Sequence, residues 1–242
     1  MPILLAIETS SEIASAALLL ESKTNGVQIL QRQTGGVVNH SQAILPMVQS
    51  LLSEAGIRLQ DCQAIAFGSG PGSFTGVRTA CGVVQGLAYG ADLPVIPVVT
   101  LLALAEAQRV ASGALNVLTA LDARMNEVYW AHYVYDVAGA CWQMIVPPTL
   151  SAPAAVAIAN SQGLVLAGNG FVAYADQFTL PYDLLGAAIN CVPDAQSIVR
   201  IAQTEFTAGR VMVANDAQPL YLRNKIALTS AERLALKAPA RL

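Results

Sequence analysis

The stretch Gly68-Ser69-Gly70-Pro71-Gly72-Ser73-Phe74-Thr75-Gly76-Val77-Arg78 holds four glycines and a proline in eleven residues. An apolar run over 64–67 precedes it, and a helix of small residues running to about Gly90 follows. Glycine admits left-handed backbone and leaves amide N–H groups uncovered. A strand, such a loop and a helix start can aim backbone donors at an anion or a partner. The loop fits neither common phosphate template. It lacks the Gly-Lys-Ser/Thr of a P-loop, and no third glycine follows Gly70 and Gly72 at dinucleotide spacing. Two readings stay open. One is an anion- or nucleotide-facing nest of Thr9, Ser10, Gly70, Gly72, Ser73, Thr75 and Gly76. The other is a structural turn that lets the next helix pack tightly.

Outward from the loop, apolar runs at 3–7, 14–20 and 27–32 read as an antiparallel three-strand meander. Asn39-His40-Ser41 offers capping side chains for a helix over 41–55, with Gly56 as its stop and Pro46 bending its start. A strand over 95–99 closes the first half. Thr100 can cap a helix to about Ala111, and strands follow at 117–121, 128–135 and 141–146. Residues 156–160 are weakly helical, 164–167 form a strand, and 195–206 form a helix capped by Asp194 and stopped by Gly209. Each half reads as three strands, helix, strand, helix. The expected fold is therefore α/β, with the duplicated βββαβα lobes of the actin-like ATPase, ribonuclease H-like superfamily. The expected division is a first lobe over 1–98, a second over 99–225 and a basic tail over 226–242. The turns at 8–11 and 122–127 should face the cleft between lobes.

Composition narrows the function. The 242 residues are 54% hydrophobic and 12% charged, about half the usual charged fraction. That balance predicts a large core and surface buried against another subunit. The longest apolar stretch, 93–105, is broken by Pro94 and Pro97 and is too short for a bilayer. No signal peptide is indicated. Cys62, Cys81, Cys141 and Cys191 are scattered and read as reduced thiols of a cytosolic protein. Residues 223–242 carry a net +4 within a total of −3, so the other 222 carry −7. An acidic body is a poor nucleic-acid platform by itself. The tail reads as a solvated terminus, with RNA or an acidic partner as the alternative.

The helix after the loop carries Gly82, Gly86 and Gly90 on one face. Each interior glycine costs about 1 kcal/mol relative to alanine, which close approach of the 41–55 helix, a partner helix or both would offset. Arg78 opposes the dipole of its own helix start. It therefore wants a carboxylate partner or a phosphate. His40 and His132 are the only histidines, and neither has a second ligand at metal spacing. No metal site is expected, and no catalytic residue is assigned. Ser73 lacks a nucleophile-elbow context. Glu8 stands where phosphate chemistry in this fold uses aspartate; it reads as a capping carboxylate or as a holder of a metal-bound water.

Ile3-Leu-Leu-Ala-Ile-Glu-Thr-Ser10, Asn39-His-Ser, Leu45-Pro-Met47, the run Gly70 to Arg78, Gly86-Leu-Ala88, Leu121-Asp-Ala-Arg-Met125, Glu127-Val-Tyr-Trp130 and Tyr221-Leu-Arg223 together resemble the bacterial TsaB (YeaZ) family. The similarity is strong over 3–135, returns near 219–224, and elsewhere is one of pattern. It implies a dimerization subunit of the tRNA threonylcarbamoyladenosine machinery. Such a subunit is non-catalytic, is a homodimer when alone, and pairs with a metal-containing catalytic paralogue of the same fold. A small ATPase subunit and tRNA join through the complex. The resemblance implies no cofactor of the chain's own, with ATP or ADP at an interface left open. The paralogue carries His-x-x-x-His in the helix matching 41–55; here His40 is followed by Ile44. The expected partner surface comprises His40, Ile44, Met47, Val48, Leu51, Arg78, Gly82 and Gly86. The competing reading is an independent ATPase or peptidase using the cleft.

Overall fold

A computed structural model describes residues 2–22, 26–34 and 40–223. The expected cap at Asn39 and the basic tail over 226–242 lie outside the described residues. Strands β1 (Ile3–Glu8), β2 (Ala14–Ser22) and β3 (Gly26–Thr34) form the expected meander, followed by α1 (His40–Ala55), β4 (Ala64–Gly70), α2 (Phe74–Ala91) and β5 (Val95–Val99). The sheet order is β3-β2-β1-β4-β5, with β4 parallel to β1 and β5 parallel to β4. The central strand β1 reads Ile-Leu-Leu-Ala-Ile because both its faces are covered. Leu5 and Ile7 pack with Ile44, Val48 and Leu51 of α1 and Ala80, Val84 and Ala88 of α2. Leu4 and Ala6 face the other way, into a second cluster.

The chain continues through α3 (Thr100–Ser112), β6 (Asn116–Asp122), β7 (Val128–Asp136), β8 (Cys141–Ser151), β9 (Leu164–Ala167), α4 (Asn169–Ala173), α5 (Tyr182–Gly186) and α6 (Ala195–Thr207). The second sheet has order β8-β7-β6-β9, the same antiparallel meander with a parallel fourth strand. The mixed α/β architecture matches the actin-like, ribonuclease H-like expectation. Helix α3 lies between the sheets: Ala103 joins the first sheet's cluster, while Leu101, Leu104 and Ala105 join the second's.

Three expectations change. Between β8 and β9 the chain makes only a short 3-10 turn, Pro153–Ala155, where weak helix was expected over 156–160. Helix α6 starts as read, with Asp194 accepting from Ser197 N at 2.8 Å. However, its apolar face, Ala195, Ile198, Val199 and Ala202, packs with Leu4, Ala6 and Ala17 of the first sheet. Periodicity shows that a helix has an apolar stripe but not which sheet covers it. Thr100 is not the cap of α3. That position falls to Val99, and the Thr100 hydroxyl donates to the Pro71 carbonyl.

Candidate functional site

The glycine loop is built against the end of β1. Ser73 N donates to Ser10 O at 2.7 Å, and the Thr9 hydroxyl donates to Gly76 O at 2.7 Å. Ser73 Oγ caps α2 by accepting from Gly76 N at 3.3 Å. A Cβ on Gly76 would lie 1.9 Å from Thr9 O, and one on Gly72 would lie 2.7 Å from both Ser10 O and Ser10 Cβ. Gly70 has φ 107°, which favours glycine. The tight-packing reading thus explains the glycines at 70, 72 and 76. Of the residues assigned to an anion-facing nest, Thr9, Gly70 and Gly76 are buried away from the neighbouring cleft, Ser10, itself buried, lines it with Gly72 and Ser73, and Thr75 is exposed outside it.

The cleft lies between the sheets and has a volume of about 540 Å³, within the usual range for small-ligand pockets. One wall is Ser10, Ser11 and Glu12 with the glycine loop. The other is Leu121–Met125 with Asn169, and the segment 220–223 runs between them. Both meander turns therefore reach the cleft, as expected. Glu8 does not. It is fully buried, its Oε1 accepts from Ser10 N, and a Cβ on Gly68 would lie 1.7 Å from its Oε2. Burial pushes the Glu8 carboxyl up to about 7, with the Asp194 charge adding to this and hydrogen bonds from Ser10 opposing it. The capping reading of Glu8 fits this geometry, because a carboxylate sealed under the sheet cannot hold water in the cleft.

The second wall is an unusual turn. Arg124, Met125 and Asn126 have φ of 60°, 58° and 58°, the left-handed region that non-glycine residues rarely adopt. Arg124 N donates to Asp122 Oδ1 at 2.7 Å, and its guanidinium pairs with Asp122 at 2.9 Å. Tyr174 OH donates to the same carboxylate at 2.8 Å. Arg223 donates to Glu127 Oε2 at 2.5 Å and to Met125 Sδ at 3.2 Å. Sequence reading passed over Arg223 as part of a basic tail; the motif Tyr221-Leu-Arg223 was the signal for it.

Among the described residues no carboxylate pairs with Arg78. Its guanidinium lies 3.2 Å from the Phe74 ring centroid and 4.9 Å from that of Tyr221, so aromatic faces neutralise the cost of a cation at a helix start. Ile44, Val48 and Leu51, expected at a partner surface, are in the chain's own core. Leu45 and Pro46 are the exposed apolar residues of α1, with Met47 half-buried. Gly82, Gly86 and Gly90 are exposed, and a Cβ on any of them would meet nothing within 4 Å. Helix α1 therefore does not fill the glycine groove.

His40 Nε2 lies 3.4 Å from Glu12 O. His132 is fully buried with Nε2 2.6 Å from Asn116 Oδ1, and burial lowers its pKa. Among the described residues no group of three or more His, Cys, Asp or Glu side chains is placed to hold a metal. Elemental analysis of the purified chain is expected to find no stoichiometric zinc or iron; one equivalent, lost on His40→Ala, would overturn that expectation.

This fold and its inter-lobe cleft define an actin-like, ribonuclease H-like protein. The family model described as tRNA N6-adenosine threonylcarbamoyltransferase, TsaD, matches residues 18–239. The chain is 38% identical over 230 residues to the tRNA threonylcarbamoyladenosine biosynthesis protein TsaB of Haemophilus influenzae, covering 92% of this chain and 94% of that one. It is 39% identical over 228 residues to the Escherichia coli protein of the same name, covering 93% and 96%. The solved structure of YeaZ from Pseudomonas aeruginosa superposes with a TM-score of 0.82 at 36% identity, covering 92% of this chain and all of that one. The chain belongs to the TsaB family. The similarity runs through 136–218, where the sequence matched the family in pattern alone.

Proposed function

We propose that the chain acts in the biosynthesis of threonylcarbamoyladenosine in tRNA as a non-catalytic subunit. It would pair through α2 and the exposed part of α1 with a metal-containing paralogue of its own fold. The observation that carries this reading is the glycine stripe of α2. Gly82, Gly86 and Gly90 lie open along the exposed face of α2, beside Tyr89 at 76% exposure. Interior helical glycines cost stability, and no side chain among the described residues fills the groove. A second helix approaching closely would. The sealing of Glu8 favours the non-catalytic role over an independent ATPase or peptidase. In this reading the small ATPase subunit and tRNA join through the complex, the free chain pairs with itself, and the site of action is the cytoplasm. No cofactor belongs to the chain, and any ATP or ADP sits at an interface.

The test is association of Gly86→Leu. A leucine at this open position should leave the monomer folded by circular dichroism. It should weaken pairing with the paralogue, and self-pairing, at least tenfold, about 1.4 kcal/mol. Sedimentation and pull-down together decide the matter. A folded variant that still pairs with wild-type affinity removes α2 from the interface.

A further inference from the structure

The segment 217–223 runs from the first lobe to the second, and its residues 220–223 line the cleft between them. Its start is anchored to α2: Ala217 is buried in the first core cluster, and its carbonyl accepts from Gln85 Nε2 at 3.0 Å. Its middle is tied to the glycine loop, since Leu220 N donates to Ser69 O at 2.7 Å. Tyr221 then stacks on Arg78, which also covers Phe74. At its far end, among the described residues, Arg223 bonds to the second lobe, contacting Glu127 Oε2, Met125 Sδ and the Arg124 carbonyl at 2.5, 3.2 and 3.5 Å.

That far end is held at a cost. The Arg223 side chain is 14% exposed, and its Nε is buried with no hydrogen-bond partner among the described residues, an arrangement native structures seldom keep without reason. The turn it grips carries three consecutive left-handed residues; such conformations persist only where the surroundings over-determine them, and they cluster at switch regions. Inside the turn, Ala123 N donates to Glu127 O at 3.0 Å, Glu127 N to Arg124 O at 3.1 Å and Arg124 N to Asp122 Oδ1 at 2.7 Å, and none of these bonds ties the turn to the strap. A charged pair near 2.5 Å is the strong element holding strap and turn together.

We infer that residues 217–223 form a latch across the cleft. Arg223 is the positioning residue that couples the strap, and through it α2, to the turn at 122–127. With the latch closed, the strap lines the cleft. With Arg223 released from Glu127, the left-handed turn relaxes, the Arg223 Nε meets water, and the cleft opens on its Tyr129 side. The outer face of the same α2 carries the glycine stripe, so an event at that face bears on the helix that anchors the strap. The latch belongs to this chain alone and stands whether or not a partner binds α2.

Hydrogen exchange read by mass spectrometry tests the coupling on the full chain. In Arg223→Ala, amide exchange should rise about tenfold, about 1.4 kcal/mol, in the strap and in the 122–127 turn together. The amides of β1, α1 and α6 should be unchanged. Glu127→Gln, which removes the partner charge without removing Arg223, should loosen the strap at Leu220 even though the substitution lies in the turn. Arg223→Lys should restore much of the protection by keeping the cation. The latch is overturned if each substitution loosens only its own segment, if neither segment responds, or if exchange rises throughout the core.

Discussion

Replacing Glu8 by glutamine should stabilise the folded chain by about 3 kcal/mol at pH 8 and change it little at pH 4. Burial raises the Glu8 carboxyl from 4.5 to about 7, and each unit of pKa difference between folded and unfolded states is worth about 1.4 kcal/mol. Below pH 4.5 the carboxyl is protonated in both states and contributes no penalty. As pH rises towards 7 the unfolded chain releases the proton while the folded chain keeps it, so stability falls. Above about pH 7 the folded chain must hold a carboxylate beneath Gly68 and Thr100, facing the Asp194 charge. Glutamine keeps an oxygen for Ser10 N and carries no charge. At roughly 2–4 °C per kcal/mol for a chain of this size, the gain in melting temperature is readily measured. Melting curves of both proteins from pH 4 to 8 should diverge with rising pH. Parallel curves would show that Glu8 does not carry the proton.

The second large effect separates two glycines of one helix. Gly76→Ala should destabilise the chain by about 3 kcal/mol or more, at the upper end of overpacking costs, because its Cβ would lie 1.9 Å from the Thr9 carbonyl oxygen. That oxygen is backbone at the end of β1 and cannot turn aside, and the Thr9 hydroxyl bond to Gly76 O would be displaced with it. Gly82→Ala should instead leave the monomer as stable or up to about 1 kcal/mol more stable, since alanine suits a helix better than glycine and nothing lies within 4 Å of its Cβ. Chemical denaturation of both variants decides this. Equal losses would mean that α2 is held by the loop as a whole rather than by contact with Thr9.

The contrast between these glycines shows how far the sequence could be read. Spacing placed Gly82, Gly86 and Gly90 on one face of a helix, and the structure has them so. Spacing could not say whether that face met a neighbour, because a missing side chain leaves no hydropathy signal for what covers it. The same limit governs α1. Its period of apolar residues marked Ile44, Val48 and Leu51 correctly as a packed face, but the partner they pack against is the chain's own sheet. Arg78 was legible as a cation at a helix start that needed compensation; Phe74, four residues earlier, and Tyr221, far along the chain, supply it.

What the sequence determined by itself was local and periodic. The alternating and continuous apolar runs defined both meanders, the glycine loop placed a sharp turn between strand and helix, Asp194 marked the start of α6, and the shared motifs identified the family. The tertiary structure decided everything that depends on which surfaces meet. It laid α6 on the first sheet, turned the Thr100 hydroxyl to Pro71 in place of a cap, sealed Glu8 away from the cleft, and brought Arg223 across to Glu127. The reason is physical. Secondary structure follows from short-range backbone preference and from the period of hydrophobicity, both written within a few residues. Burial, pKa shifts and ion pairs arise from groups distant in sequence whose approach is set only when the sheets and helices pack.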